Sequence, residues 1–235
     1  QETQSKSSRI LQITYPILDN VQFYLFRNGQ LEKEIQTGDY FLFEERPVWN
    51  RNFLLPFEMQ KSDTVAIYLR VQTSTSVQIP LTLWEQDAFA RSEQTSLAGQ
   101  SIFYGMILIM IMLNFFLFVT TRELNYLNYV LYVGLTGLFF SSLQGFSFQY
   151  LWPNGVAWND LSICFLCSSL MIFLAIFTID FLRLEKTLPK AKKVLLVLGC
   201  GSFAGVILSI LVPYSVAIRY IIFCSLTTLL TCLVI

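Results

Sequence analysis

Arginines set beside an aromatic ring and carboxylates form the most chemically suggestive cluster in this chain. Between Glu44 and Asn52 the sequence crowds together Glu44, Glu45, Arg46, Trp49, Arg51 and Asn52. Further on, Tyr68 and Arg70 fall on the same side of an alternating run. A planar guanidinium fork matches a carboxylate or a pair of sugar hydroxyls, and a neighbouring ring offers a face to stack on. Arg46, Trp49, Arg51, Asn52, Tyr68 and Arg70 are therefore the candidate ligand-binding residues. The plainer alternative is a solvated loop whose arginines pair with Glu44, Glu45 and Glu58. Taken as a cluster, the stretch suits either a ligand site or an interdomain contact.

Other chemistry is scarce. The chain has no histidine, which removes imidazole catalysis and imidazole metal sites. It carries no Gly-x-Ser-x-Gly, no Ser-x-x-Lys and no glycine-rich phosphate loop. Cys164 and Cys167 have the C-x-x-C spacing, but they sit in ICFLCSSLMIFL with no flanking charge to lower a thiol pKa. They read as small apolar residues. No catalytic residue, metal site or cofactor is expected within these 235 residues, and no basic face suits nucleic acid. Asp160 and Asp180 lie at the two ends of one apolar segment, whereas an ion pathway wants carboxylates near the midplane. A membrane transporter is the alternative function that these residues leave open.

The elements that must position the cluster are of two kinds. Of all residues 54% are hydrophobic and 14% charged, which indicates a membrane protein. Residues 1–100 hold nine Lys/Arg against twelve Asp/Glu, and the remainder seven against four. In the first part Ile10–Tyr15, Val21–Phe26, Asn52–Phe57, Thr64–Thr73 and Ile79–Trp84 are short apolar or alternating runs separated by turn residues such as Asn28-Gly29. In Thr64–Thr73, Val65, Ile67, Leu69 and Val71 alternate with Ala66, Tyr68, Arg70 and Gln72. This pattern predicts an antiparallel β-sandwich over residues 1–96. It contains no cysteine and so no disulfide staple. Glu85–Gln100 is a polar connector that could lead into the membrane as a helix.

The second part, residues 97–235, reads as a polytopic helical transmembrane bundle. Ile102–Thr120 carries no ionisable side chain besides Tyr104, and a helix of that length spans roughly 28 Å, about the hydrocarbon thickness of a bilayer. Tyr126–Leu143, Leu161–Leu182, Val194–Val212 and Ala217–Ile235 follow as four further spans. Arg122, Arg183, Lys186, Lys190, Lys192 and Lys193 fall in connections on one side and Arg219 alone on the other, which puts the first side in the cytoplasm and the β domain outside. The chain starts without Met and stops inside an apolar run. We expect it to be an internal piece of a longer protein, lacking its first strands.

Several stretches then take on meaning together: Tyr15–Asp19 (YPILD), Thr37-Gly38-Asp39, Arg46-Pro47 with Arg51–Phe53, Tyr68–Val71 (YLRV), Leu81–Trp84 (LTLW) and Gly145–Pro153 (GFSFQYLWP). In this order the chain resembles the bacterial seven-transmembrane receptors with diverse intracellular signalling modules. The resemblance implies a periplasmic jelly roll, similar to carbohydrate-binding modules, ahead of seven helices, five of which would lie here. It implies a signal-transducing receptor of a bacterial inner membrane. Its cytoplasmic output module, a diguanylate cyclase or a histidine kinase, would lie outside this chain. Its partners would be the lipid bilayer, a small or carbohydrate-like ligand or a partner ectodomain, and a second copy of the chain.

Overall fold

The computed structural model of the chain describes residues 7–60 and 63–235. They form two compact units. One is built from the chain up to Gly99 together with Ser142–Asp160, the other from Gln100–Ser141 with Leu161–Ile235.

Among the described residues the first unit holds six strands: β1 Ser7–Ile13, β2 Asn20–Arg27, β3 Gln30–Thr37, β4 Phe53–Met59, β5 Val65–Gln72 and β6 Leu81–Glu85. They pair antiparallel in two sheets, ordered β4-β1-β6 and β3-β2-β5. Side chains alternate faces along a strand, so one face of each sheet can be wholly apolar. Val21, Phe23 and Leu25 of β2 and Val65, Ile67, Leu69 and Val71 of β5 meet Ile13 of β1 and Phe53, Leu55 and Phe57 of β4 in a single core. Each side chain fully buried there contributes roughly 1.5–3 kcal/mol. This is the expected antiparallel sandwich.

Five of the six strands fall on the runs read from the sequence. The sixth, β3 (QLEKEIQT), has too few apolar residues to announce itself, and Ile35 is its contribution to the core. It forms because Asn28 (φ 50°) and Gly29 (φ 82°) both take left-handed backbone, the geometry of a two-residue hairpin turn, and fold it back onto β2. Pro56 sits within β4, opposite Ile10, where a missing N–H is tolerated because β4 is an edge strand.

Helix α1 spans Gln86–Thr121 and begins directly after β6. The polar connector is thus helical and continuous with the first membrane span. Helix α2 covers Leu124–Leu143, α3 is the short Phe146–Tyr150, and α4 runs Val156–Phe181. A single turn, α5 Leu184–Thr187, precedes α6 Pro189–Leu211 and α7 Tyr214–Val234. Five of these helices, α1, α2, α4, α6 and α7, are long and apolar enough to cross a membrane, in keeping with the five expected spans. Pro189 opens α6 at its first turn, where a proline loses no hydrogen bond.

In the second unit Cys164 is buried against Ala217 and Ile221 of α7, and Cys167 packs on the same cluster as a free thiol. A Cβ on Gly205 would come within 2.8 Å of Ser168 Oγ and 3.3 Å of Ile221 Cγ1, so α6 approaches α4 and α7 through that glycine.

Candidate functional site

The 43–52 segment is the second part of the connection that joins the two sheets of the sandwich, from the end of β3 to the start of β4. Its first turn, Phe43–Glu45, is 3-10. The chain reaches it past Gly38, where a Cβ would lie 1.9 Å from the Asp19 carbonyl oxygen. No other residue fits there.

Arg46 is only 7% exposed. Its guanidinium lies over the rings of Phe43 (4.4 Å), Phe53 (4.6 Å) and Phe148 (5.6 Å). It donates to the main-chain carbonyls of Asn50 (3.1 Å) and Arg51 (2.6 Å). Burial lowers its pKa to about 10, against the opposing pull of Asp39, and the cation persists at any physiological pH. Its Nε has no hydrogen-bond partner.

Arg51, 8% exposed, lies over the Phe146 ring at 4.3 Å and donates from Nη2 to Ser96 Oγ at 2.9 Å. Asn50 donates to Glu93 Oε1 at 3.2 Å. The Phe43 amide donates to the Pro153 carbonyl (3.2 Å), and Phe43 meets Phe148 edge-on (5.4 Å). At Gly145 (φ 77°), a Cβ would stand 2.8 Å from Pro16 Cβ and 3.3 Å from Arg51 Cβ. The 43–52 segment therefore grips two other pieces of its unit at once: the first turns of α1 and the Gly145–Pro153 stretch.

Beside this joint lies Asp39, buried with its Oδ1 unpartnered. Desolvation, reinforced by Asp19 and Asp160 and opposed by Arg46, pushes its pKa up to about 7. Asp19 is itself satisfied by the Thr73 hydroxyl (3.0 Å) and the Ser74 amide (2.6 Å).

The six candidate residues separate into two groups. Arg46, Arg51 and Asn52 are buried in the joint, and Trp49, 52% exposed, packs edge-on against Phe43 at its rim (4.8 Å). Among the described residues, Arg46 and Arg51 form no ion pair with Glu44, Glu45 or Glu58, the pairing of the plain loop reading. Both heads are taken by main-chain carbonyls, rings and a serine, because a buried guanidinium needs partners that a solvated loop would not supply. Tyr68 and Arg70 stand elsewhere, on the open face of sheet β3-β2-β5. Tyr68 is 63% exposed and meets Phe26 edge-on at 5.5 Å. Tyr24, Phe26, Gly29, Thr64, Ala66 and Tyr68 line a shallow groove of about 640 Å³ on that face. In β2, Gln22 lies directly across from Arg70 and from Gln36 of β3, which extends the groove with polar groups.

Residues 96–235 match the family described as 7TM diverse intracellular signalling. Residues 1–85 match the family described as 7TMR-DISM extracellular 2. No curated protein and no solved structure matches the chain. The chain belongs to the 7TM diverse intracellular signalling receptors. It is a multi-pass membrane protein with an extracellular sensor domain at its N-terminus. With that domain outside, α1, α2 and α4 cross in turn, so 182–193 lies on the inner side, as its basic residues indicated. In this receptor the extracellular match ends with β6 at residue 85, and the membrane match begins at Ser96, the partner of Arg51.

Asp39, Glu93, Ser96, Phe146 and Phe148 are the participants that residue types in the sequence did not mark. The stretches that carry Asp39, Phe146 and Phe148 were visible as family motifs. Their roles were not, since a carboxylate or phenylalanine in a loop shows nothing of the arginine it will meet.

Proposed function

We propose that the chain is the sensing and membrane part of a signalling receptor of a bacterial inner membrane, with the sandwich in the periplasm. Residues 1–96 supply the strands and the start of α1 in the sensor, to which Ser142–Asp160 adds from between two spans, and the rest of 97–235 is the membrane region. The ligand occupies the open face of sheet β3-β2-β5 and is carbohydrate-like. Tyr24 and Tyr68 offer stacking surfaces, and Arg70, Gln22 and Gln36 supply hydroxyl partners. The relay passes through the Arg46–Arg51 joint into α1 and on to a cytoplasmic output module, a diguanylate cyclase or a histidine kinase. Selection between two packings of the helices requires the ligand to favour one of them.

The observation that carries this reading is the double grip of the 43–52 segment. One loop of the sensor holds Glu93 and Ser96 of α1 and also Phe146, Phe148 and Pro153. A small shift of that loop displaces the helix that continues into the first span.

The test separates binding from relay in the intact receptor. Membranes bearing the full protein are screened with a panel of soluble oligosaccharides for binding and for output activity. Tyr68→Ala is expected to weaken binding by about tenfold, the weight of one well-packed aromatic contact. Arg51→Ala is expected to leave binding intact and to blunt the output. Unchanged binding by Tyr68→Ala would remove the groove from the reading, and an undiminished response in Arg51→Ala would remove the relay.

A further inference from the structure

On the inner side, the ends of α4 and α6 and the turn α5 between them enclose a cleft of about 500 Å³. Ile176, Ile179 and Leu196 form its apolar floor, and Asp180, Arg183, Glu185, Lys186 and Lys192 its polar walls. We propose that this cleft binds an anionic phospholipid of the inner leaflet, its phosphate on Arg183 and Lys186 and an acyl chain along the floor.

The charges of the walls are unevenly committed. The Asp180 carboxylate accepts from Asn128 Nδ2 of α2 at 3.0 Å, and Glu185 pairs with Lys192 at 3.2 Å. Glu185 is thus neutralised by Lys192, whereas Asp180 is held by a neutral amide and keeps its charge. Arg183 and Lys186 make no side-chain ion pair among the described residues. Arg183 is held at the end of α4 in left-handed backbone (φ 48°), which ends the helix and begins the turn toward Lys186. Two uncommitted cations at the membrane surface suit a phosphate group, and basic pockets between spanning helices on the inner side are where anionic headgroups settle. The volume suits a headgroup-sized ligand. A soluble phosphorylated molecule shares the charge chemistry. It would have no use for the floor of Ile176, Ile179 and Leu196, which belongs to two spanning helices.

Lys190 and Lys193 lie in the same basic segment but do not line the cleft. They supply the control. The purified full chain in detergent is titrated with a fluorescent phosphatidylglycerol, with phosphatidylcholine as the neutral reference. R183Q/K186Q is expected to weaken phosphatidylglycerol binding by about tenfold or more, and K190Q/K193Q by less than about twofold. Arg183→Lys keeps the charge and is expected to retain most of the binding, which guards against a folding defect. Equal losses in the two double variants would show diffuse attraction and overturn the site. So would equal binding of phosphatidylcholine, or a cleft that takes up inorganic pyrophosphate and no lipid.

Discussion

At the scale of single residues, Arg46 is a buried cation held by rings and main-chain carbonyls. It sits among three rings and donates to two main-chain carbonyls, one of them buried, an arrangement that a lysine's point charge cannot reproduce. Arg46→Met leaves both carbonyls without that donor, and we expect a loss of about 3 kcal/mol in stability of the sandwich, read from its thermal unfolding. Asp39 predicts a pH dependence. Its folded pKa of about 7 lies well above the unfolded value of roughly 3.9, so between them the folded form holds a proton that the unfolded form has released. Stability from this residue therefore falls as pH rises through that window, and the loss is complete above about pH 7. Burying the ionised carboxylate costs roughly 4 kcal/mol at the upper end. Asp39→Asn, which cannot ionise, should flatten the difference in melting temperature between about pH 5 and about pH 8. The same slope in wild type and variant would show that another group sets it.

At the scale of elements, close approaches decide where the short segments lie. Gly145 caps α3 in left-handed backbone within touching distance of Pro16 and Arg51. Gly145→Ala adds a methyl that meets Pro16 and strains the backbone, and should destabilise this contact by roughly 1–3 kcal/mol. Limited proteolysis between Gly145 and Pro153 is the sensitive measurement, and faster cleavage in the variant is the expected result. Gly205 does comparable work among the helices. Gly205→Val would collide with Ser168 and Ile221, and should lower the melting temperature of the detergent-solubilised protein while leaving the ectodomain transition unchanged.

At the scale of the molecule, the sensor unit is discontinuous in sequence. It takes Ser142–Asp160 from between two membrane spans. Phe148 covers Arg46 and Phe43, and Phe146 covers Arg51. An isolated 1–99 chain should therefore expose an apolar patch with two buried-type arginines, melt lower than the same unit in the full protein, and gain stability from a 142–160 peptide added in trans. Identical melting with and without the peptide would count against that dependence.

The sequence by itself determined the class of the molecule. Apolar runs long enough to span a bilayer, the strand alternation of Thr64–Thr73 and the bias of basic residues to one side each reflect one-dimensional constraints: hydrocarbon thickness, the pleat, and membrane charge asymmetry. They placed the five spans, five of the six strands and the side of the membrane. The polar strand β3 escaped because its position depends on hairpin pairing to β2 rather than on its own pattern. Only the tertiary structure decided what the arginines do. A guanidinium over a ring reads the same in sequence whether the ring belongs to a ligand, a loop or a segment about a hundred residues away. Phe146 and Phe148 are brought to Arg51 and Arg46 by a long-range closure that no local spacing encodes, and that closure sets the partners the two guanidinium groups have.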